Sequence, residues 1–182
     1  DAHVDLNNER ATNVAIHQLS AKTQHSSVQA RGKVLEPLTD MQLQLRVGVN
    51  VYLPEMAYFM PDNLDVQGRA KGTVNVSARL NDLLEMNLAK TKLSGDVHLY
   101  ELAGVLDDMQ VASPDMRVAF ELPNTKGYAR EVSWAYAKVD YSGLDVALDG
   151  MHVEMGASEV KLAVSDVLSG QALLHADVAL AS

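Results

Sequence analysis

The side chains in this chain best suited to proton transfer or metal ligation are its six histidines and two short groups of carboxylates. His98, His152 and His175 each stand between apolar residues in strand-like stretches, while His3, His17 and His25 fall in a less regular start. No pair has a ligand spacing such as His-Glu-x-x-His, so they read as solvated strand histidines. Asp62, Asn63 and Asp65, and separately Asp107 and Asp108, offer oxygens for calcium or a carboxylate pair. Both groups lie in turn-like stretches, where Asp and Asn bond their own backbone, and neither has the ligand series of a calcium loop. There is no Gly-x-Ser-x-Gly elbow and no phosphate loop. Asn75-Val76-Ser77 meets the glycosylation sequon, but on a strand. Trp134 and Tyr136, on one face with Val132, read as packing at a sheet end, with ligand contact as the alternative. The expectation is a protein that is not an enzyme, with no catalytic residues, no metal and no cofactor.

Composition narrows the partners. Net charge is −9, with Lys and Arg interspersed, so the chain lacks the cationic cluster that displaces counterions from nucleic acid or favours an anionic membrane surface. Nucleic acid is therefore not an expected partner. Cysteine is absent, which removes disulfides and thiolate sites. A hydrophobic share of 47% suits a globular core, yet no apolar run approaches the roughly 18 to 20 residues of a membrane-spanning helix. The chain starts at Asp1 without a signal-peptide pattern and reads as a processed or excised piece, a single segment over 1–182.

Strands must position whatever chemistry there is. From Leu64 to Leu80 apolar residues or Gly hold every even position and polar residues every odd one, which on a strand separates two faces. At full extension the run spans about 55 Å, roughly three ordinary strands. Leu64, Val66, Ala70, Val74, Val76, Ala78 and Leu80 share its apolar face. Met41, Leu43, Leu45, Val47, Val49 and Val51 line a second long strand, expected to form a hairpin with Val28, Ala30, Gly32 and Val34 across Glu36-Pro37-Leu38-Thr39-Asp40. Leu53 to Pro61 breaks the alternation. Bracketed by Pro54 and Pro61, it predicts either an irregular apolar loop or one or two helical turns whose Met56, Tyr58, Phe59 and Met60 plug an end or edge of the sheet.

Asn81 to Met86 predicts a turn or short helix. Leu93, Val97 and Leu99 follow as another face, with a bulge expected between Leu88 and Leu93 where the parity of the apolar positions changes. Strands over Met109–Val111, Met116–Leu122 and Tyr128–Tyr136 are separated by Ser113-Pro114-Asp115 and by 123–127. A hairpin at Asp149-Gly150 joins Leu144–Leu148 to Met151–Met155. Stretches 160–164 and 172–180 complete an all-β chain of ten to twelve strands in antiparallel meander order, with one short helix. Gly68 and Gly72, on one strand face, read as points of bending or close approach.

The order of these parts resembles the repeated β-unit of the AsmA/TamB family of Gram-negative envelope proteins. The matching pieces are the greasy helix Leu53 to Pro61, the strand Val66-Gln67-Gly68-Arg69-Ala70-Lys71-Gly72-Thr73-Val74, the stretch Lys92 to Leu99, and the late hairpin Leu148 to Ser158. That resemblance implies a long sheet curled into an open groove with an apolar lining. It also implies a periplasmic location and a parent anchored in the inner membrane. The implied role is phospholipid transport to the outer membrane, or assembly of that membrane, with other envelope proteins as further partners.

Together with the long alternating strands, this gives the leading expectation. Phospholipid acyl chains are held by a lining of Met41, Leu43, Leu45, Val47, Val49, Val66, Ala70, Val74, Val76, Ala78, Leu80, Leu93, Val97 and Leu99. The alternative is a closed β-sandwich or barrel, a structural or binding module of the envelope, in which the same residues pack on one another. A membrane-embedded barrel fits less well, because only 5% of residues are aromatic and Tyr52, Tyr58 and Phe59 cluster instead of forming two girdles.

Overall fold

The computed structural model describes residues 2–3, 13–37, 40–59, 63–85, 87, 90–107, 109–130, 133–148, 150–165 and 173–180. Among these residues twelve strands form one antiparallel sheet. They begin with β1 (Ala2–His3), β2 (Asn13–Lys22), β3 (Ser27–Leu35), β4 (Gln42–Tyr52), β5 (Leu64–Arg79) and β6 (Lys92–Leu106). Then come β7 (Met109–Leu122), β8 (Ala135–Tyr141), β9 (Leu144–Leu148), β10 (Met151–Met155), β11 (Ser158–Ser165) and β12 (Leu173–Leu180). Helical structure among the described residues is confined to a 3-10 helix at Leu53–Phe59, a short α1 at Leu80–Leu84, and a 3-10 turn at Lys90. None of it is long and apolar enough to cross a membrane.

Neighbours in sequence are neighbours in the sheet from β1 to β8, as short connections favour. β8 and β9 act as two halves of one kinked strand, since both pair with β7, while β11 and β10 pair with β8 and β9 in turn. The all-β antiparallel meander expected from the alternation is what the chain forms. The sheet is open and uncurled, and β1 and β12 lie at opposite ends of the strand order. The curled groove expected above is therefore corrected to a broad open surface. Among the described residues no second sheet faces the first. Curving a sheet needs bulges repeated along its width. Here one irregularity lies between Ile16 and Leu19 on β2, and the others gather on a single line.

That line crosses the sheet from β5 to the β8–β9 kink. Gln67 pairs with Ala103 and Arg69 with Tyr100, so Gly68 stands opposite two residues, Glu101 and Leu102. Gly68 has φ 115 and Glu101 φ 51, the left-handed geometry of a bulge. The apolar phase of β6 changes there, from Leu93, Val97 and Leu99 to Leu102 and Leu106. β7 changes phase at the same level, between Val111 and Met116, and so does the chain between Tyr141 and Leu144. The pairs across these strands stay in register through the change. Shifting together, the strands keep their apolar side chains on one side of the sheet.

Ser113-Pro114-Asp115 lies on this line. Expected to separate two strands, it instead kinks a continuous β7, because its lost ladder bonds are replaced. The buried Ser113 hydroxyl donates to the Gly143 carbonyl at 2.6 Å, and the Ser142 amide donates to the Asp115 carbonyl at 3.0 Å.

Two further expectations change. The strand expected over Tyr128–Tyr136 begins only at Ala135. Before it, buried Asn124 donates to the Tyr128 carbonyl and Ser133 to the Ala129 carbonyl, and such side-chain bonds compete with a ladder. Leu80 opens α1 instead of extending β5, although its amide still bonds the Met41 carbonyl at 2.8 Å. The bulge expected between Leu88 and Leu93 involves Leu88, outside the described residues.

Candidate apolar binding face

Register carries one apolar surface across almost the whole sheet. Val28 on β3 pairs with Val49, Val49 with Gly72, Gly72 with Val97 and Val97 with Val118. The row continues from Val118 through Val139 and Val160 to Val178 on β12. Beside it, Ala30, Val47, Val74, Gly95, Phe120, Ala137, Leu162 and Ala176 form a parallel row. Leu45, Val76, Leu93 and Leu122 form a third, and Val51, Ala70, Leu99, Met116 and Tyr141 a fourth. Past the kinks, Val66, Gly104, Val111, Val146 and Val153 add another.

The sequence-derived lining therefore comes together. Leu43, Leu45, Val47 and Val49 pair with Ala78, Val76, Val74 and Gly72, and Ala70 with Leu99. Met41 and Leu80 close that end of the surface just outside β4 and β5. What sequence reasoning left out is the continuation beyond Leu99, over Met116, Val118, Phe120, Val139, Val160 and Val178. Its signal was present as alternation in each later strand, but only pairing shows that these residues extend the same surface. Two glycines let strands approach or turn within it. A methyl at Gly72 would clash with the Asp96 carbonyl oxygen, and one at Gly68 would come within 2.7 Å of that of Tyr100.

Among the described residues no second layer covers the middle of this face, and only the helix Leu53–Phe59 packs against β4 and β5 at its margin. Its central valines are half-buried by their own neighbours, and the only buried apolar residues among those described are Val51, Ala70, Ala78, Tyr141 and Ala163. At the edges Leu19 is 63% exposed and Leu174 65%. A folded monomer of 19.7 kDa has an accessible surface of about 8,600 Å². This chain has 11827 Å². With strands about 4.8 Å apart, the valine row spans roughly 33 Å, and Leu43 to Val51 adds about 26 Å along the strand. The surface is on the order of 900 Å², above the few hundred Å² that soluble monomers usually leave apolar.

The helix beside the face only partly matches the plug expected of it. Met56 is half-buried, Tyr58 is turned outward at 91% exposure, and Met60 lies outside the described residues, as does the Phe59 side chain. The helix is fastened at Glu55, which accepts bonds from the Thr23 and Ser26 hydroxyls and the His25 amide. These donors, the Ser26 hydroxyl foremost, hold its carboxyl below the ordinary glutamate value.

Charge occupies the other face. Arg117 grips Asp96 with two nitrogens, at 2.9 and 2.6 Å, and this hydrogen bonding lowers the Asp96 pKa. Glu159 lies 2.6 Å from the Lys138 ammonium and 3.0 Å from that of Lys161. His98 meets Asp115 at 2.8 Å, and its ring centroid is 4.1 Å from that of Tyr100. Asn63 bonds Asp107 at 3.0 Å, bringing the two turn groups together, while Asp62 and Asp108 lie outside the described residues. Tyr136 packs so closely on Gly127 that a methyl there would run into its ring, and Trp134 is half-buried nearby. Val132 lies outside the described residues.

One association went unread in the sequence. His152 Nε2 lies 2.5 Å from Asp145 Oδ1 and 3.9 Å from Glu154 Oε1. The Asp149-Gly150 turn was its signal, because pairing Leu148 with Met151 sets Asp145 directly opposite Glu154.

Comparison with protein-family models, with curated proteins and with solved structures finds no match.

Proposed function

We propose that this chain is a non-enzymatic lipid-binding segment that holds phospholipid acyl chains against one face of an open β-sheet. The observation that carries the reading is the continuous apolar surface from Val28 to Val178, half-exposed and without a facing layer among the described residues. Hydrocarbon gains about 0.8 kcal/mol for each methylene it buries, and about half that where it lies against an open surface. Valine, leucine and alanine offer no directional bond, so an acyl chain gripped here is free to slide along the sheet. A conducting role and not only a binding one follows from that lack of fixed points. The resemblance to the AsmA/TamB β-unit supports placing the segment in the periplasm. Its parent is then anchored in the inner membrane and serves phospholipid transport or outer-membrane assembly.

The experiment is organic extraction of the purified chain followed by mass spectrometry, after incubation with phospholipid vesicles and re-isolation. Phospholipid recovered in stoichiometric amount from the folded chain is the expected result. Clean, monomeric, folded protein would overturn the reading.

A further inference from the structure

The β9–β10 hairpin carries an arrangement that the lipid reading does not use. Asp145 and Glu154 are direct cross-strand partners, and like charges so placed oppose pairing. His152 stands diagonally between them, two residues from Glu154 on the same strand face. The ligand atoms of all three lie within 4.8 Å of one another. The depression beside them, of about 370 Å³, is lined by Asp65, Gln67, Gln110 and small residues, with no lysine or arginine among the described residues of its wall. Two opposed carboxylates and an imidazole thus meet where that wall offers no basic side chain to balance them.

We propose that Asp145, His152 and Glu154 form a binding site for a divalent transition-metal ion of the zinc type, on the face opposite the valine row. One imidazole nitrogen and two carboxylate oxygens are a borderline donor set that suits zinc, whereas calcium takes six to eight oxygens. Tetrahedral ligands about 2.05 Å from a metal lie about 3.3 Å apart. The present 2.5 Å between His152 and Asp145 has to open, and the 3.9 Å between His152 and Glu154 has to close. Both changes are under an ångström, and the Asp145 and Glu154 oxygens, within 4.8 Å of each other, have to close by no more than about 1.5 Å. Water completes the fourth position from the open side of the depression. A bound ion neutralises the opposed carboxylates and clips β9 to β10. The site stands on different residues from the lipid surface, and either reading can fail without the other.

The test is zinc titration of the whole chain by calorimetry, with backbone amide exchange of the hairpin as a second readout. One equivalent is expected to bind and to slow exchange at 144–155. His152→Ala is expected to weaken binding by at least about tenfold, the minimum loss typical even of groups that only support a ligand. Asp145→Asn and Glu154→Gln are expected to weaken it as well. His98→Ala, which removes a histidine on another strand, should leave it unchanged. Absence of zinc binding by the folded chain, or binding that survives His152→Ala at full strength, would overturn the proposal.

Discussion

Replacing Val118 by Glu separates a lipid-covered face from a self-packed one. Val118 lies mid-row between Val97 and Val139 and is half-buried, so with no described layer above it a glutamate carboxylate reaches water. The cost to folding is then a change of strand preference and neighbour packing, about 1 kcal/mol. Under a layer of hydrocarbon the same carboxylate is cut off from water, at about 3 kcal/mol, and about 1 kcal/mol of methyl contact is lost with the valine. Their sum, about 4 kcal/mol, is a loss of affinity of roughly three orders of magnitude. The assay is titration with a fluorescent phospholipid analogue, alongside circular dichroism and urea unfolding. Ala119→Glu is the control, because it adds the same charge one residue on, on the face that carries Asp96 and Lys138. Expected are an intact fold for both variants and lost binding for Val118→Glu alone. Equal binding by the two variants, or global unfolding by Val118→Glu, would refute the reasoning.

Other consequences concern the scaffold. Ser113→Ala leaves the Gly143 carbonyl without its hydroxyl donor at the buried kink, and a drop of about 1–3 kcal/mol in urea-derived stability is expected. Gly68→Ala combines an unfavourable φ with a 2.7 Å approach to the Tyr100 carbonyl, whereas a methyl at Gly48 comes no closer than 3.9 Å to any described neighbour. Thermal melts should show a loss for Gly68→Ala and little change, or a gain of up to about 1 kcal/mol, for Gly48→Ala. Lys138, and after it Lys161, holds the Glu159 carboxyl below its ordinary value of 4.5. A carboxylate depressed in the folded state adds stability that is complete above the unfolded value and lost as pH falls through the folded one. Acid unfolding of Glu159→Gln should therefore show less decline below pH 4.5 than the parent, by a small and salt-sensitive amount. Identical acid profiles would show that the pair adds nothing.

The strands were legible because alternation has only one structural meaning over so many residues. In β4 and β5 the apolar parity alone puts Val47 and Val74 each on the apolar face of its strand, and Asp149-Gly150 announces the β9–β10 turn. The continuity of β7 through Pro114 was not legible. It depends on Ser113 reaching Gly143 and on the amide of Ser142, partners about thirty positions away. The loop before Ala135 failed for a similar reason, since Asn124 and Ser133 capture its carbonyls in ways that local preference does not encode. Curvature was also beyond periodicity, which fixes what shares a face but not how that face bends. The extension of the apolar surface through Val118, Val139, Val160 and Val178 required the register of later strands, though each strand alone displayed the pattern.

The period of the strand itself provides the most direct test of acyl chains as the cover of this sheet. A photoreactive side chain placed in turn at 96, 97, 117 and 118 samples the two faces alternately, and adducts formed in the presence of phospholipid vesicles are identified by mass spectrometry. Lipid adducts at 97 and 118 with none at 96 and 117 are the expected outcome. Adducts at 97 and 118 made only of protein, or lipid adducts spread evenly over all positions, would contradict it.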